Sequence, residues 1–316
     1  MALQVLFFAT SKFAVPTLKK LISDREISLK GVVTQPDKPA GRKQEPSKSP
    51  VKIYAEKEKI KIYQPEKIRN NKEFLKTVES LNLDIIVVIS YGVILPEEIF
   101  SMAKYGAINI HPSLLPKYRG ASPINEALLR GDKETGVSII KMNEKMDEGD
   151  IILIKKMAIE EKDDYQTLSE KLEKMAADLI VPILLDYKDG ILKPIPQNHK
   201  NASYCKKMEK NDGKIDWKNE TAMEIHSKIK AFMIWPGTYT SWNGKILKIK
   251  KSKMEKSEKN DKPGSIQFGD KKITVACKKN LLIPEIIQLE GKKETTIEEF
   301  LRGYESALRR NPFFGI

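Results

Sequence analysis

Two polar side chains stand at the end of an apolar strand. In GAINIHPSLLPKYRG, Asn109 and His111 close the run GAINIH (106–111), and the chain then turns away through Pro112 to Pro116. Residues two apart on a strand leave the same face. An Asn amide and an imidazole aimed at one spot can both donate to a carbonyl oxygen that becomes an oxyanion. A charged ring does this better than a neutral one, and a nearby carboxylate favours the charged form. The acidic turn NEKMDEGD (143–150), with Asp147 inside it, offers such carboxylates. No Ser or Cys stands in a nucleophile-elbow motif, so the set suits attack on an acyl carbon without a covalent enzyme intermediate. Both residues also have a plainer use. A His before Pro often caps a turn, and an Asn at a strand end commonly satisfies turn backbone groups.

The elements that would position these residues alternate. LQVLFFAT (3–10), ISLKGVVT (27–34), the β-branched run DIIVVISYG (84–92) and GAINIH read as strands. FAVPTLKKLI, SPVKIYAEKEK, EKIRNNKEFLKTVES and SPINEALLRGD read as helices, the last with Ser122 as N-cap, Pro123 at the first helical position and Gly131 after the end. Strand–helix alternation means an α/β domain around a mostly parallel sheet, and such sheets bind ligands at the carboxyl ends of their strands. TGVSIIKM (135–142) and DIILIKKMAI (150–159) add two strands, and a long helix follows with Leu168, Leu172, Met175 and Leu179 on one side. After the Pro-bearing stretch KPIPQNHKNASY the pattern becomes one helix, WKNETAMEIHSKIKAF, and then short strands with glycine turns, which reads as a small antiparallel barrel or sheet. Residues 251–264 read as a charged loop.

Motifs and composition exclude several classes. The first βα turn, FFATSKFA, lacks G-x-G-x-x-G, and neither a phosphate-binding G-x-x-x-x-G-K-[ST] nor H-E-x-x-H occurs. Cys205 and Cys277 stand alone, which suggests neither a zinc site nor a disulfide framework and fits a reducing, cytoplasmic setting. No apolar run approaches the roughly 20 residues of a membrane span. His199 and His226 read as ordinary, one in the linker and one on a helix. The 316 residues carry a net charge of +13; residues 201–316 hold 24 Lys and Arg against 15 Asp and Glu. A basic balance gathered in the last third implies an anionic partner, nucleic acid first.

INIHPSLLPKYRGASPINEAL followed by GDKETGVSIIKMNEKMDEGDII resembles the folate-dependent formyltransferases: an Asn-x-His-x-Ser-Leu-Leu-Pro-x-x-Arg-Gly block with an Asp-x-Gly-Asp turn a few dozen residues on. GVVTQPDKPAGR, SYGVILP, KIDW (214–217) and IKAFMIWPGTY agree with it, so the likeness runs from near residue 5 to about 240. The resemblance implies a Rossmann-like, mostly parallel α/β domain over 1–189, a linker at 190–208 and a smaller, basic, OB-like β-barrel over 209–316. It implies Asn109, His111 and Asp147 as the catalytic set, with Asn109 and His111 on the formyl oxygen of 10-formyltetrahydrofolate. Ser113, Leu114, Leu115 and Pro116 would form part of the folate site, and Tyr91, Gly92, Ile94, Leu95 and Pro96 would wall its pterin side. No metal is implied. The implied acceptor is initiator methionyl-tRNA, reached by Arg42 and Lys43 and gripped by the basic domain; tetrahydrofolate leaves, and the protein acts as a monomer away from membranes. Three positions depart from the family's habit: Ala9 and Lys43 where Gly is usual, and Lys230 where Arg is common. An enzyme acting on an amino-sugar nucleotide, or a tRNA-binding protein that has lost catalysis, are the competing expectations.

Overall fold

Six strands running one way and a single strand running against them build the sheet that carries the strand end at His111. In chain order they are β1 (Leu3–Ala9), β2 (Ile27–Val33), β3 (Ile62–Tyr63), β4 (Ile85–Ile89), β5 (Ala107–His111), β6 (Glu134–Lys141) and β7 (Ile151–Ala158). Across the sheet the order is β7-β6-β5-β4-β1-β2-β3, with β5/β6 and β6/β7 antiparallel. Every residue of β4, IIVVI, is buried, as a central strand covered on both faces requires. Chain direction therefore puts the ends of β1, β4 and β5 at one edge, where β4 exits through Ser90 and Gly92, both at positive φ. This is the Rossmann-like α/β domain that the alternating pattern predicts.

The computed structural model describes residues 1–40, 45–259 and 261–315. Arg42 and Lys43 lie outside the described residues. Contacts group the chain into one unit of 1–120, 134–158 and 169–205, and a second of 121–133, 159–168 and 206–316.

The helix Tyr165–Lys188 forms as predicted, with a shifted stripe. Leu168, Leu172, Ala176, Ile180 and Leu184 are the buried line, one residue in four, whereas Met175 and Leu179 are half-buried flanks. In the second unit, Pro123–Arg130 is a helix ended by Gly131 in the left-handed region. Ser122 holds the N-cap position, though its side chain makes no capping bond to the first turn. Strands Tyr239–Trp242 and Lys245–Glu255 form a hairpin over Asn243–Gly244, both with positive φ as that tight turn demands. Leu281–Leu289, Ile273–Ala276 and Ile266–Phe268 continue the antiparallel sheet, and Thr295–Thr296 joins its side. The sheet curls, barrel-like, around Trp217, Trp242, Leu247, Ile249, Ile287 and Phe300.

Two expectations change here. Residues 251–255 are the end of a strand rather than loop, because Ser252 faces inward while Lys251 and Lys253 face out. Residues 297–310, read as part of a strand-and-turn region, form a helix. A capping box starts it: the Thr296 hydroxyl accepts from the Glu299 N–H and the Glu299 carboxylate accepts from the Thr296 N–H. Its Ile297, Phe300, Leu301 and Leu308 are buried.

Candidate active site

β5 delivers Asn109 and His111 to the sheet edge, opposite Ile140 and Ser138 of β6. The β6–β7 connection brings Asp147 back to them. Asp147 adopts φ +56°, a left-handed conformation that Asp and Asn tolerate better than other non-glycine residues. Gly149 completes the turn, since a Cβ there would stand 1.8 Å from the Lys141 carbonyl oxygen. The structure thus brings together the three residues that the sequence singles out.

Their contacts are specific. Asp147 Oδ1 accepts from Asn109 Nδ2 at 3.2 Å and lies 3.6 Å from His111 Nδ1. Asp147 Oδ2 accepts from the Gly120 N–H at 2.8 Å. The other ring nitrogen, His111 Nε2, donates to the Tyr118 carbonyl at 2.9 Å. That bond fixes the ring plane and turns Nδ1 toward the carboxylate. The His111 and Asp147 side chains are 5% and 10% exposed, so little water screens their attraction. An Asn amide nitrogen carries two N–H groups and Asp147 takes one of them. The arrangement can hold an oxygen that gains negative charge and balance a positive charge on the ring.

The Ser113–Pro116 turn is built inward. Ser113 is fully buried and its hydroxyl donates to the Lys117 carbonyl at 2.7 Å, while its own carbonyl accepts from Ser138 Oγ at 2.6 Å. Leu115 is buried, its N–H donating to Ser138 Oγ at 3.0 Å and its peptide to Pro116 cis. Leu114 and Pro116 are half-buried. The serine and second leucine are thus committed to the turn itself.

On the other side, the Tyr91 ring enters the core, edge-on to Phe8 with centroids 5.3 Å apart, and burial pushes its phenol up to about 12. Gly92 and Ile94 are exposed; Ile94, Leu95 and Pro96 line a cleft of about 580 Å³ with Arg69, Asn70, Glu97, Glu98 and Glu144. Glu144 belongs to the same connection as Asp147, so cleft and carboxylate share one turn. Lys230 is half-buried, with its ammonium on the Glu161 carbonyl and its pKa lowered by burial.

Sequence reasoning missed the Tyr118 carbonyl and the Gly120 N–H, which are backbone groups with no side-chain signature. It also missed His199, whose ring stands against the buried Arg119 guanidinium at 3.1 Å. Among the described residues no group of three or more His, Cys, Asp or Glu is placed to hold a metal, and no helix is long and apolar enough to cross a membrane.

A donor pair and a carboxylate at the carboxyl edge of a mostly parallel sheet, followed by a separate antiparallel unit, define a group-transferring α/β enzyme. Residues 1–184 match the family described as Formyl transferase and residues 207–305 its C-terminal domain, and the chain belongs to the formyl transferase family. It is 43% identical over 302 residues to the methionyl-tRNA formyltransferase of Caldanaerobacter subterraneus subsp. tengcongensis, covering 96% of this chain and 97% of that one. The methionyl-tRNA formyltransferase of Sulfurihydrogenibium sp. is 42% identical over 305 residues, at 96% and 97% coverage. Among solved structures, the fold is similar to WlaRD, a sugar 3N-formyl transferase crystallised in the presence of dTDP and 5-N-formyl-THF, with TM-score 0.65, 21% identity and coverage of 93% of this chain and 100% of that one. It is also similar to HypX from Aquifex aeolicus in complex with tetrahydrofolic acid, with TM-score 0.64, 16% identity and coverage of 96% and 47%.

Proposed function

We propose that this chain transfers the formyl group of 10-formyltetrahydrofolate to the amino group of methionine on initiator methionyl-tRNA. The observation that carries the reading is the meeting of Asn109, His111 and Asp147 at the end of β5, in a chain aligned almost end to end with methionyl-tRNA formyltransferases. The methionine amine attacks in its neutral form. A C–N bond forms and the formyl oxygen takes the electron pair. The second N–H of Asn109 donates to that oxyanion, and His111, whose Nε2 is held by the Tyr118 carbonyl, stabilises it through the positive charge of its ring. Asp147 holds Asn109 in place and balances charge on His111. The intermediate collapses by breaking the bond to the folate nitrogen, which ends with the proton that the amine has lost.

The exposed edge of the 580 Å³ cleft suits the pterin side of the folate. A pterin ring offers N–H donors, and Glu97, Glu98 and Glu144 are acceptors, while Ile94 and Leu95 supply apolar contact. Residues 1–189 carry the chemistry in this reading, 190–208 connect, and 209–316 hold the tRNA through phosphates. The basic excess of the last third supports that division, as do Lys245, Lys248, Lys251 and Lys253 exposed along one strand. Arg42 and Lys43 reach the acceptor end. The enzyme works as a cytoplasmic monomer.

Formyl transfer from 10-formyltetrahydrofolate tests this, with methionyl-tRNA, free methionine and an amino-sugar nucleotide as parallel acceptors. Transfer to the charged initiator tRNA alone is expected. Transfer to the amino sugar alone keeps the chemistry and discards the tRNA. A folded protein that binds tRNA and transfers nothing overturns the enzyme reading.

A further inference from the structure

No regular element imposes the left-handed backbone at Asp147, yet its carboxylate must meet Gly120, Asn109 and His111 together. The restraint comes from a segment that the sequence reads as linker. Ile195 exchanges both backbone hydrogen bonds with Ile151, at 2.8 and 2.9 Å. Ten residues on, Tyr204–Cys205 pairs in parallel with Arg119–Gly120, so close that a Cβ on Gly120 would stand 2.3 Å from the Cys205 carbonyl oxygen. Between those anchors Gln197, 4% exposed, reaches into the site's support.

The amide nitrogen of Gln197 donates to the carbonyls of Asp147 and Gly149, at 2.8 and 2.7 Å. Its amide oxygen accepts from Arg119 Nη2 at 2.8 Å and Nε at 3.2 Å. Two acceptors on one side and a guanidinium on the other leave only one orientation of that amide satisfied. Arg119 is 1% exposed, and its Nη1 meets Tyr204 Oη at 3.1 Å and Glu148 Oε1 at 3.2 Å. Glu148 is the residue after Asp147, so the buried cation grips the turn both through Gln197 and through its neighbour's carboxylate.

We propose that Gln197, oriented by the buried Arg119, is a positioning residue for formyl transfer: it clamps the carbonyls of Asp147 and Gly149 and so aims the Asp147 carboxylate at Asn109 and His111. This rests on Asp147 acting in the transfer reaction. Gln197 touches neither substrate in this scheme and acts through Asp147 alone.

Gln197→Met tests it, since Met is close in volume and donates no hydrogen bond. Turnover should fall about 10- to 100-fold from a misplacement of well under 1 Å, with KM for folate and for tRNA within about threefold. In an Asp147→Ala background the same change should cost less than about twofold, because nothing remains to be aimed. The Gly120 amide, which donates to Asp147 Oδ2, should exchange its hydrogen faster in Gln197→Met than in the native protein. Gln197→Glu, which keeps the oxygen that Arg119 holds but turns a carboxylate on two carbonyls, should show the same faster exchange. Native turnover in Gln197→Met, or a full loss repeated in the Asp147→Ala background, overturns the proposal. If Asp147→Ala itself turns over normally, the catalytic reading has failed instead, and unchanged Gly120 exchange in both Gln197 variants then overturns the clamp independently.

Discussion

Replacing Asp147 by Asn keeps the shape of the side chain and removes its charge. The backbone should survive, because Asn accepts the left-handed φ of +56° as readily as Asp does. The hydrogen bonds do not survive intact. Asp147 accepts through both oxygens, from Gly120 N–H on one and Asn109 Nδ2 on the other, and an amide has one oxygen. Either orientation sets an NH2 group against a donor, and leaving one buried donor unpaired costs about 1–3 kcal/mol. For a chain of this size that is a fall in Tm of about 2–5 °C. The kinetic effect is separate. A full positive charge on the His111 ring, 3.6 Å from Asp147 Oδ1, gains about 4–5 kcal/mol from the carboxylate at an effective dielectric of about 20. Each 1.36 kcal/mol is about tenfold, so the ceiling is near 10³-fold in kcat, and about 10²-fold is expected once residual solvation is allowed for. Single-turnover formyl transfer at saturating folate and tRNA reads this directly, with KM for each substrate within a few-fold of native. Asp147→Ala should lose at least as much rate and a further ~1–2 kcal/mol of stability, since Ala lacks the tolerance for positive φ. A value of kcat for Asp147→Asn within threefold of native, in a protein of lowered Tm, would refute the electrostatic reasoning and leave Asp147 as a turn residue.

His111→Ala should lower turnover by about 10²- to 10³-fold, as loss of oxyanion stabilisation predicts, with a fall in Tm of several degrees from the lost buried ring; a folded variant of lowered Tm that turns over within about threefold of native would assign the ring to structure. Ile94→Asp should raise the folate KM about tenfold by placing charge on an apolar contact, whereas Tyr91→Phe, whose ring is already in the core, should shift that KM by less than about twofold. Equilibrium binding of the folate to both variants separates the two positions. His226, with Nδ1 on Ser252 Oγ, has its pKa lowered from 6.5 by burial first and Lys230 second. The unfolded chain then binds more protons, so stability is whole above 6.5 and falls as pH drops through that value toward the folded one. Urea midpoints measured between about pH 7 and pH 5 should therefore decline in the native protein and decline less in His226→Gln; parallel slopes would remove His226 from the acid response.

What was readable in the sequence followed from side-chain pattern. β4 is an unbroken β-branched run and β5 ends in two polar side chains on one face, so both strands and the site edge were visible. Asp147 was visible as part of an acidic turn. Its geometry was not, because the partners that fix it are a carbonyl at Tyr118, an N–H at Gly120 and an amide from Gln197 some fifty residues on. Backbone groups carry no letter, and residues 190–205 show no periodicity that would tie them to a strand. Ser113 entered the expected folate site through the family resemblance alone; the structure adds that its hydroxyl donates to the Lys117 carbonyl, a backbone partner with no letter of its own. The 297–310 helix was hidden because its signal is the cap and the spacing of Ile297, Phe300, Leu301 and Leu308, among charges that pair one turn apart.

The grouping of 121–133 and 159–168 with 206–316 bears on how such a gene can be recombined. A chimera joined at the linker takes its tail from one parent and the helix Pro123–Arg130 from the other. That helix packs against Ala222–Ala231, with Ile124, Ala127 and Leu128 buried and Asn125 Nδ2 bonded to the Ala231 carbonyl at 2.7 Å. Such a hybrid would meet its own mismatch inside one folded body, and the tail expressed alone would lack part of its wall. Parents exchanging this unit must trade three stretches of sequence at once, which makes the cut that looks natural along the chain the wrong one in space.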